Sequence, residues 1–253
     1  MTLRRNVPTA FSSLDCNVPT VTSTRGCSDC TRRTTVSAIG FGLACSYQFP
    51  ATLTVFAAVE MPLLVLPYLG ILATTTLVYA RLIAPERART SSLTAENRAF
   101  LQWPTRQSVW RETRTVVRSF FLKALPVFAG IVLVASLLDY FGVLDVMGEA
   151  LGPVMGLFNL PGETALVVVT GSIRKDGLLL LQSDGLSATL SAMTPVQVLT
   201  AVYLAGVLLP CLVTAITVAK ELSPRYAGRM LLRQAAAAAG FSLLLGWGGA
   251  VLL

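Results

Sequence analysis

The sequence predicts an all-α fold: a polytopic helical membrane protein of about five transmembrane helices, with a re-entrant or broken segment and Pro-kinked helices. Three observations carry that reading. Mean hydropathy is +0.67, and hydrophobic residues make up 54% of the 253 positions against 13% charged, outside the range of soluble domains. Several uncharged runs approach or exceed the roughly 20 residues that a helix needs to cross a bilayer. Finally, the net charge of +7 is concentrated in connections between those runs, which reads as membrane topology before nucleic-acid affinity.

Taken in order, residues 1–34 form a basic cytosolic arm with a CNVP motif at Cys16–Pro19 and a CSDC motif at Cys27–Cys30. It contains Pro8 and Pro19 and no apolar core of a signal peptide. Cys27 and Cys30 have a spacing that can share a metal, with Cys16 and Asp15 as further ligands. A redox pair or two ordinary cytosolic thiols account for the motif equally well. Residues 35–82 hold two spans: one over about Thr35–Val59, interrupted near Gly40, Gly42 and Pro50, and one over about Pro62–Ala80 that ends at Arg81.

A basic loop at 83–123 follows; from Arg81 to Lys123 there are nine Lys or Arg. Its later part, WPTRQSVWRETRTVVRSFFLKAL, places basic and apolar residues at helical spacing. That suits an interfacial amphipathic helix on an anionic leaflet, or simply a solvated run-in to the next span. The remaining region, 124–253, opens with a span over about Ala124–Phe141. Asp139, Asp145, Glu149 and Glu163 then occur with no basic residue among them. A divided apolar segment, 164–183, precedes spans 196–219 and 230–253.

Charge bias orients the chain. The arm, the loop and the Lys220–Arg233 connection carry five, nine and four basic residues, so all three, and the amino terminus, are placed in the cytoplasm of an inner-membrane protein. The acidic stretch then lies outside. The 196–219 span ends inside and must begin outside, so 164–183 starts and finishes on one side as a re-entrant pair of half-helices, unless Val143–Phe158 dips in as well. Arg174, Lys175 and Asp176 would sit at membrane depth as a gate or charge-compensating site. In the competing reading they cap a hairpin that reaches the far interface and are simply hydrated.

The run PVQVLTAVYLAGVLLPCLVTAITV, Pro195–Val218, is the spine of the chain. Pro210 removes a backbone donor and crowds the preceding turn, which predicts a kink and a freed carbonyl. Protein, water or a ligand must satisfy that carbonyl at membrane depth. Cys211 beside it offers a soft ligand, or serves as a small buried hydrophobe. The first span repeats the pairing, with Cys45 and Pro50 followed by ATLTV. Matched Pro-interrupted spans mark binding sites in transporters. The Thr residues after each proline are expected to bond the freed carbonyls, and Cys45 and Cys211 could face one Fe(II) ion.

CNVP, the ACSYQFP run (Ala44–Pro50), GSIRKDG (Gly171–Gly177) and LLPCLVTAITVAKEL (Leu208–Leu222) stand in this order. In these residues the chain resembles the membrane part of the ferrous-iron transport protein B (FeoB) family, from Cys16 onward. The resemblance implies two gate (nucleoside-recognition) repeats, the first partial at 35–82 and the second at 124–253. It also implies Fe2+ uptake across the inner membrane, with Cys45 and Cys211 as ligands of the path and Pro50 and Pro210 opening the helices around them. Family members carry a GTPase domain, whereas no GxxxxGK[ST] phosphate loop occurs here.

The expected function is therefore the permease portion of a ferrous-iron transporter, with no bound cofactor and with Fe2+ as cargo. Its partners are the lipid bilayer and either a separate GTPase chain or a second copy, with no nucleic acid. The alternative is a non-transporting gate-domain subunit, or a truncated remnant, with an assembly or regulatory role and the basic loop as docking surface. An enzyme is not expected: the chain has no His, no Ser-centred elbow and no carboxylate pair spaced for acid–base work.

Overall fold

The computed structural model describes residues 21, 24, 29–42, 48–84, 106–119, 121–122, 125–173, 175–182 and 186–252. Among these the architecture is helical throughout. The helices are α1 (Asp29–Gly42), α2 (Gln48–Ala58), α3 (Val65–Ile83), α4 (Arg106–Ser119), α5 (Leu125–Tyr140), α6 (Val143–Met155), α7 (Thr164–Ile173), α8 (Ser187–Ala192), α9 (Pro195–Val207), α10 (Leu212–Glu221) and α11 (Pro224–Leu252). Short 3-10 turns cover Pro62–Leu64, Gly156–Phe158 and Lys175–Gln182.

Three segments are long and apolar enough to cross a membrane: Pro62–Ile83, Pro195–Glu221 and Pro224–Gly249. The other two expected spans are built differently. Apolar character from Thr35 to Val59 is divided between α1, which begins six residues earlier at Asp29, and α2. The third is α5, whose 16 residues end at Tyr140, before the left-handed Gly142 turns the chain into α6. The last span also starts earlier than its apolar pattern, at Pro224. Proline is favoured in the first helical turn, where its missing N–H has no partner to lose.

Large apolar side chains are exposed to an extent unusual for a soluble protein, while several polar ones are buried. Leu63, Leu66 and Leu82 on α3 and its approach, Tyr140 and Phe141 after α5, and Leu232, Leu244 and Trp247 on α11 are exposed. Gln48, Thr52, Thr75, Lys175, Thr200, Thr214, Gln234 and Ser242 are buried. An apolar exterior around a core that also holds these polar groups is what lipid as solvent selects, because intramembrane polar groups face protein rather than hydrocarbon.

The core forms where α9 packs against α7 and antiparallel α11, with α2, α3 and the 175–182 turn around it. Phe41 stacks on Tyr79 at 4.1 Å, and Phe56 meets Tyr68 edge-on at 5.8 Å, tying α1 to α3 and α2 to α3. At one end Arg32 pairs with Glu221 at 3.1 Å. There Tyr226 donates to the Arg33 carbonyl at 2.7 Å. At the other end Gln197 donates to the Asn159 carbonyl at 3.0 Å, and Trp247 to the Leu157 carbonyl at 2.8 Å.

Candidate functional site

The spine is two helices, not one kinked helix. Its start is fixed by a capping box, in which the Thr194 hydroxyl accepts from the Gln197 N–H and the Gln197 side chain accepts from the Thr194 N–H. Helix α9 stops at Val207, capped by Leu208, whose N–H still donates to the Leu204 carbonyl at 2.9 Å; residues 209–211 leave the helix and α10 resumes at Leu212. Cys211 stands at its N-cap position in an extended conformation, φ −56 and ψ 149.

The cause is Pro210. Lacking an N–H, it cannot serve the carbonyl four residues earlier, that of Gly206. Once the ladder is lost, the Val207 and Leu209 carbonyls also lose their i+4 donors. The Gly206 and Val207 oxygens carry the partial negative charge of the C-terminus of α9.

Two side chains from distant parts of the sequence supply the donors. The Lys175 ammonium gives a hydrogen bond to the Gly206 carbonyl at 2.7 Å and another to the Leu209 carbonyl at 2.6 Å. The Gln234 amide on α11 donates to the Val207 carbonyl at 3.1 Å and to the Gly40 carbonyl of α1 at 2.7 Å. Both residues are buried, Lys175 with 8% exposure and Gln234 with none. A Lys at a helix C-terminus complements the dipole as well as the hydrogen bonds.

Lys175 reaches the break because 164–182 is a hairpin. Helix α7 runs inward from Thr164, and the 175–182 turn folds back along it. The return is so tight that a Cβ on Gly177 would lie 2.6 Å from the Gly171 nitrogen and the Thr170 carbonyl carbon, which excludes any larger residue there. Ten residues of α7 rise about 15 Å, half of a hydrocarbon core of about 30 Å. The tip accordingly meets the spine near the middle of Pro195–Glu221. On the way out, the Thr189 hydroxyl bonds the Glu163 carboxylate, so the hairpin leaves and returns at one end of the molecule.

On the far side of the break, the Cys211 thiol, free and half-buried, contacts the Thr214 hydroxyl at 3.0 Å. This differs from the expectation that Thr hydroxyls serve the freed carbonyls. A Thr in a helix reaches carbonyls three or four residues back. Thr217 does so at Val213, 2.8 Å away, within its own helix. The Gly206 carbonyl lies eight residues before Thr214, out of that reach.

The second half of the expected duplication differs too. Pro50 lies exposed in the first turn of α2, where an absent N–H breaks nothing. Its neighbour Gln48 is buried and donates to the Tyr68 hydroxyl at 2.9 Å. That pair packs onto Gly206, where a Cβ would come within 2.3 Å of the Gln48 amide nitrogen. Of the other expected site residues, Cys16, Cys27, Cys45 and Arg174 lie outside the described residues. Cys30 falls in α1 and Asp176 in the 175–182 turn, both without a described side chain. Among the described residues no group of three His, Cys, Asp or Glu comes together.

Gln234 and Gln48 are the members of the site that pattern reading misses. The signal for Gln234 was present: an amide directly before five consecutive alanines, 235–239, on a helix that carries no charge from there on.

Residues 121–225 match the Gate family model, described as nucleoside recognition. The Gate region thus takes in α5 to α10, including the hairpin and the broken spine, while Gln234 and α1–α3 fall outside it. No curated protein and no solved structure matches the chain at a significant level. With three helices of spanning length, the Gate match marks a helical membrane protein and points to a transport-associated role.

Proposed function

We propose that the chain is the permease portion of a ferrous-iron transporter, with the ion passing the break in the spine. The observation that supports this best is the break itself. It leaves the carbonyl end of α9, held by the buried Lys175 ammonium, on one side of a short interruption and the Cys211 thiol at the start of α10 on the other. Discontinuous helices whose exposed termini meet are how transporters build ion sites inside lipid. A thiolate with neighbouring oxygen donors suits Fe(II), and Cys45, from the first apolar run, is the second soft ligand in this reading. The 164–182 hairpin is re-entrant, and Lys175, flanked by Arg174 and Asp176, gates the break. The Arg32–Glu221 end is cytoplasmic by the positive-inside rule, in the inner membrane, and any nucleotide-driven gating comes from a separate GTPase chain.

A non-transporting Gate subunit is favoured by one observation: the freed carbonyls already have protein donors. In that reading the docking surface is α4, where Trp110, Arg111, Arg114, Val117 and Arg118 are exposed. One experiment separates the two. In cells lacking their own ferrous transporters, expression of this chain with a GTPase partner raises iron accumulation, and Cys211→Ser abolishes the gain at unchanged membrane abundance. Replacing Arg111, Arg114 and Arg118 together leaves uptake in place. Uptake unaffected by Cys211→Ser removes the thiol from the path. Loss of a co-purifying complex on the triple Arg change, with no uptake in any variant, selects the subunit.

A further inference from the structure

Helix α4 has no extensive packing against any other described helix. Its own resources are slight. A length of 14 residues is near the shortest that persists alone in water, and Val109, Trp110, Thr113, Thr115, Val116 and Val117 are middling helix formers. Its charges do not help. Arg114 and Arg118 stand one turn apart, where like charges repel, and Glu112 is two positions from Arg114 and does not face it. A helix formed on these terms rests on something outside the described residues.

The exposed side chains say what that support must accept. Trp110 and Val117, two turns apart, are open to the outside, Trp110 to 71%. Arg114 lies one turn from each of them and Arg118 one turn further, both exposed. The basic residues of α4 are four Arg and no Lys against the one Glu, a choice that favours bidentate contact with phosphate. Position then favours lipid over protein. Six residues lead from Ser119 to Leu125, the start of α5, which is at most about 20 Å of chain. Phe121 and Leu122 within that link are exposed, as are Leu133, Val134 and Leu137 on α5. The end of α4 is thereby held close to the bilayer that α5 enters.

We propose that α4 lies along the membrane surface as a docking site for anionic phospholipid, with Trp110 and Val117 at the acyl boundary and Arg114 and Arg118 on the headgroup phosphates. The attachment does not rest on the permease reading. It also fills the face that the subunit reading assigns to a protein partner.

The test is amide hydrogen exchange on the full chain in nanodiscs of phosphatidylcholine alone, or with about one-third phosphatidylglycerol, read over residues 106–119 with α9 as internal reference. With phosphatidylglycerol the α4 amides exchange about tenfold more slowly than in phosphatidylcholine alone, and about 0.5 M salt removes most of the difference. Each basic residue near an anionic surface strengthens attachment about fivefold. Arg114→Gln with Arg118→Gln therefore brings the two lipids to within about twofold of each other. Glutamine is as good a helix former as arginine, so intrinsic helicity is not what this change removes. Arg114→Lys with Arg118→Lys keeps the charge and retains the lipid dependence. Equal exchange of α4 in the two lipids, or a slowing by phosphatidylglycerol that survives the double Gln change, overturns the headgroup site. Rapid exchange in both lipids that slows only with a bound protein partner gives the face to that partner and overturns it as well.

Discussion

At the residue scale, buried polar side chains gather where backbone has been left unpaired. Pro210 was legible as the cause of a break, because its chemistry is local and needs no neighbour to be known. The groups that answer it were less so. Lys175 stood out as a charge in an apolar context, yet whether it would be hydrated or buried depended on where the hairpin tip lands. Gln234 gave no periodic signal, and its role follows only from the antiparallel packing of α11 on α9, which brings its amide to Val207 and Gly40 at once. A prediction follows from that double bond. Gln234→Met, close in volume but with no donor, leaves two buried carbonyls unsatisfied, at about 1–3 kcal/mol each. The purified variant unfolds roughly 5–10 °C below wild type on that basis. A change under about 2 °C would mean the carbonyls find other partners.

At the element scale, the sequence showed which segments are apolar better than where helices begin and end. The span 196–219 is nearly coincident with α9 and α10. By contrast α1 extends into the polar residues Asp29–Thr34, because Arg32 is held by Glu221 and Arg33 lies over the Tyr226 ring at 5.7 Å. Those partners are about 190 positions away, beyond the reach of any local pattern. The hairpin is the element on which the site depends, and its turn rests on one glycine. Gly177→Ala forces its Cβ against the Gly171 and Thr170 backbone, which cannot yield as a flexible side chain would. The expected outcome is a hairpin that no longer seats Lys175, with a Tm about 5 °C or more below wild type. Gly228→Ala is the matched control: it lies in the body of α11 with nothing within 4 Å of its Cβ. Alanine is the better helix former by about 1 kcal/mol, so Tm should hold or rise slightly.

At the scale of the whole molecule, the two ends differ in charge and in the contacts that close them. Arg32, Arg33, Lys220 and Arg225 gather around the turn between α10 and α11, while Glu163 marks the end where α7 begins and α9 is capped. Charge bias proposes which end is cytoplasmic, because orientation follows composition and not packing. Whether 164–182 dips or reaches the far interface was not decidable from the sequence, since a 19-residue segment with Arg174, Lys175 and Asp176 at its centre fits either hairpin. The structure bears on it through geometry: a ten-residue α7, a sharp reversal at Gly177, and Thr189 back at Glu163. Single cysteines at Gly162, Ala188 and Ser223, in a background with the five native cysteines replaced, turn this into a labelling pattern. With a membrane-impermeant maleimide on intact spheroplasts, positions 162 and 188 label together and 223 labels only after lysis. Labelling of 188 with 223 instead of with 162 would show that the segment crosses. Lys175 would then have to reach the break from a spanning helix, and the mid-membrane gate would fall with the hairpin.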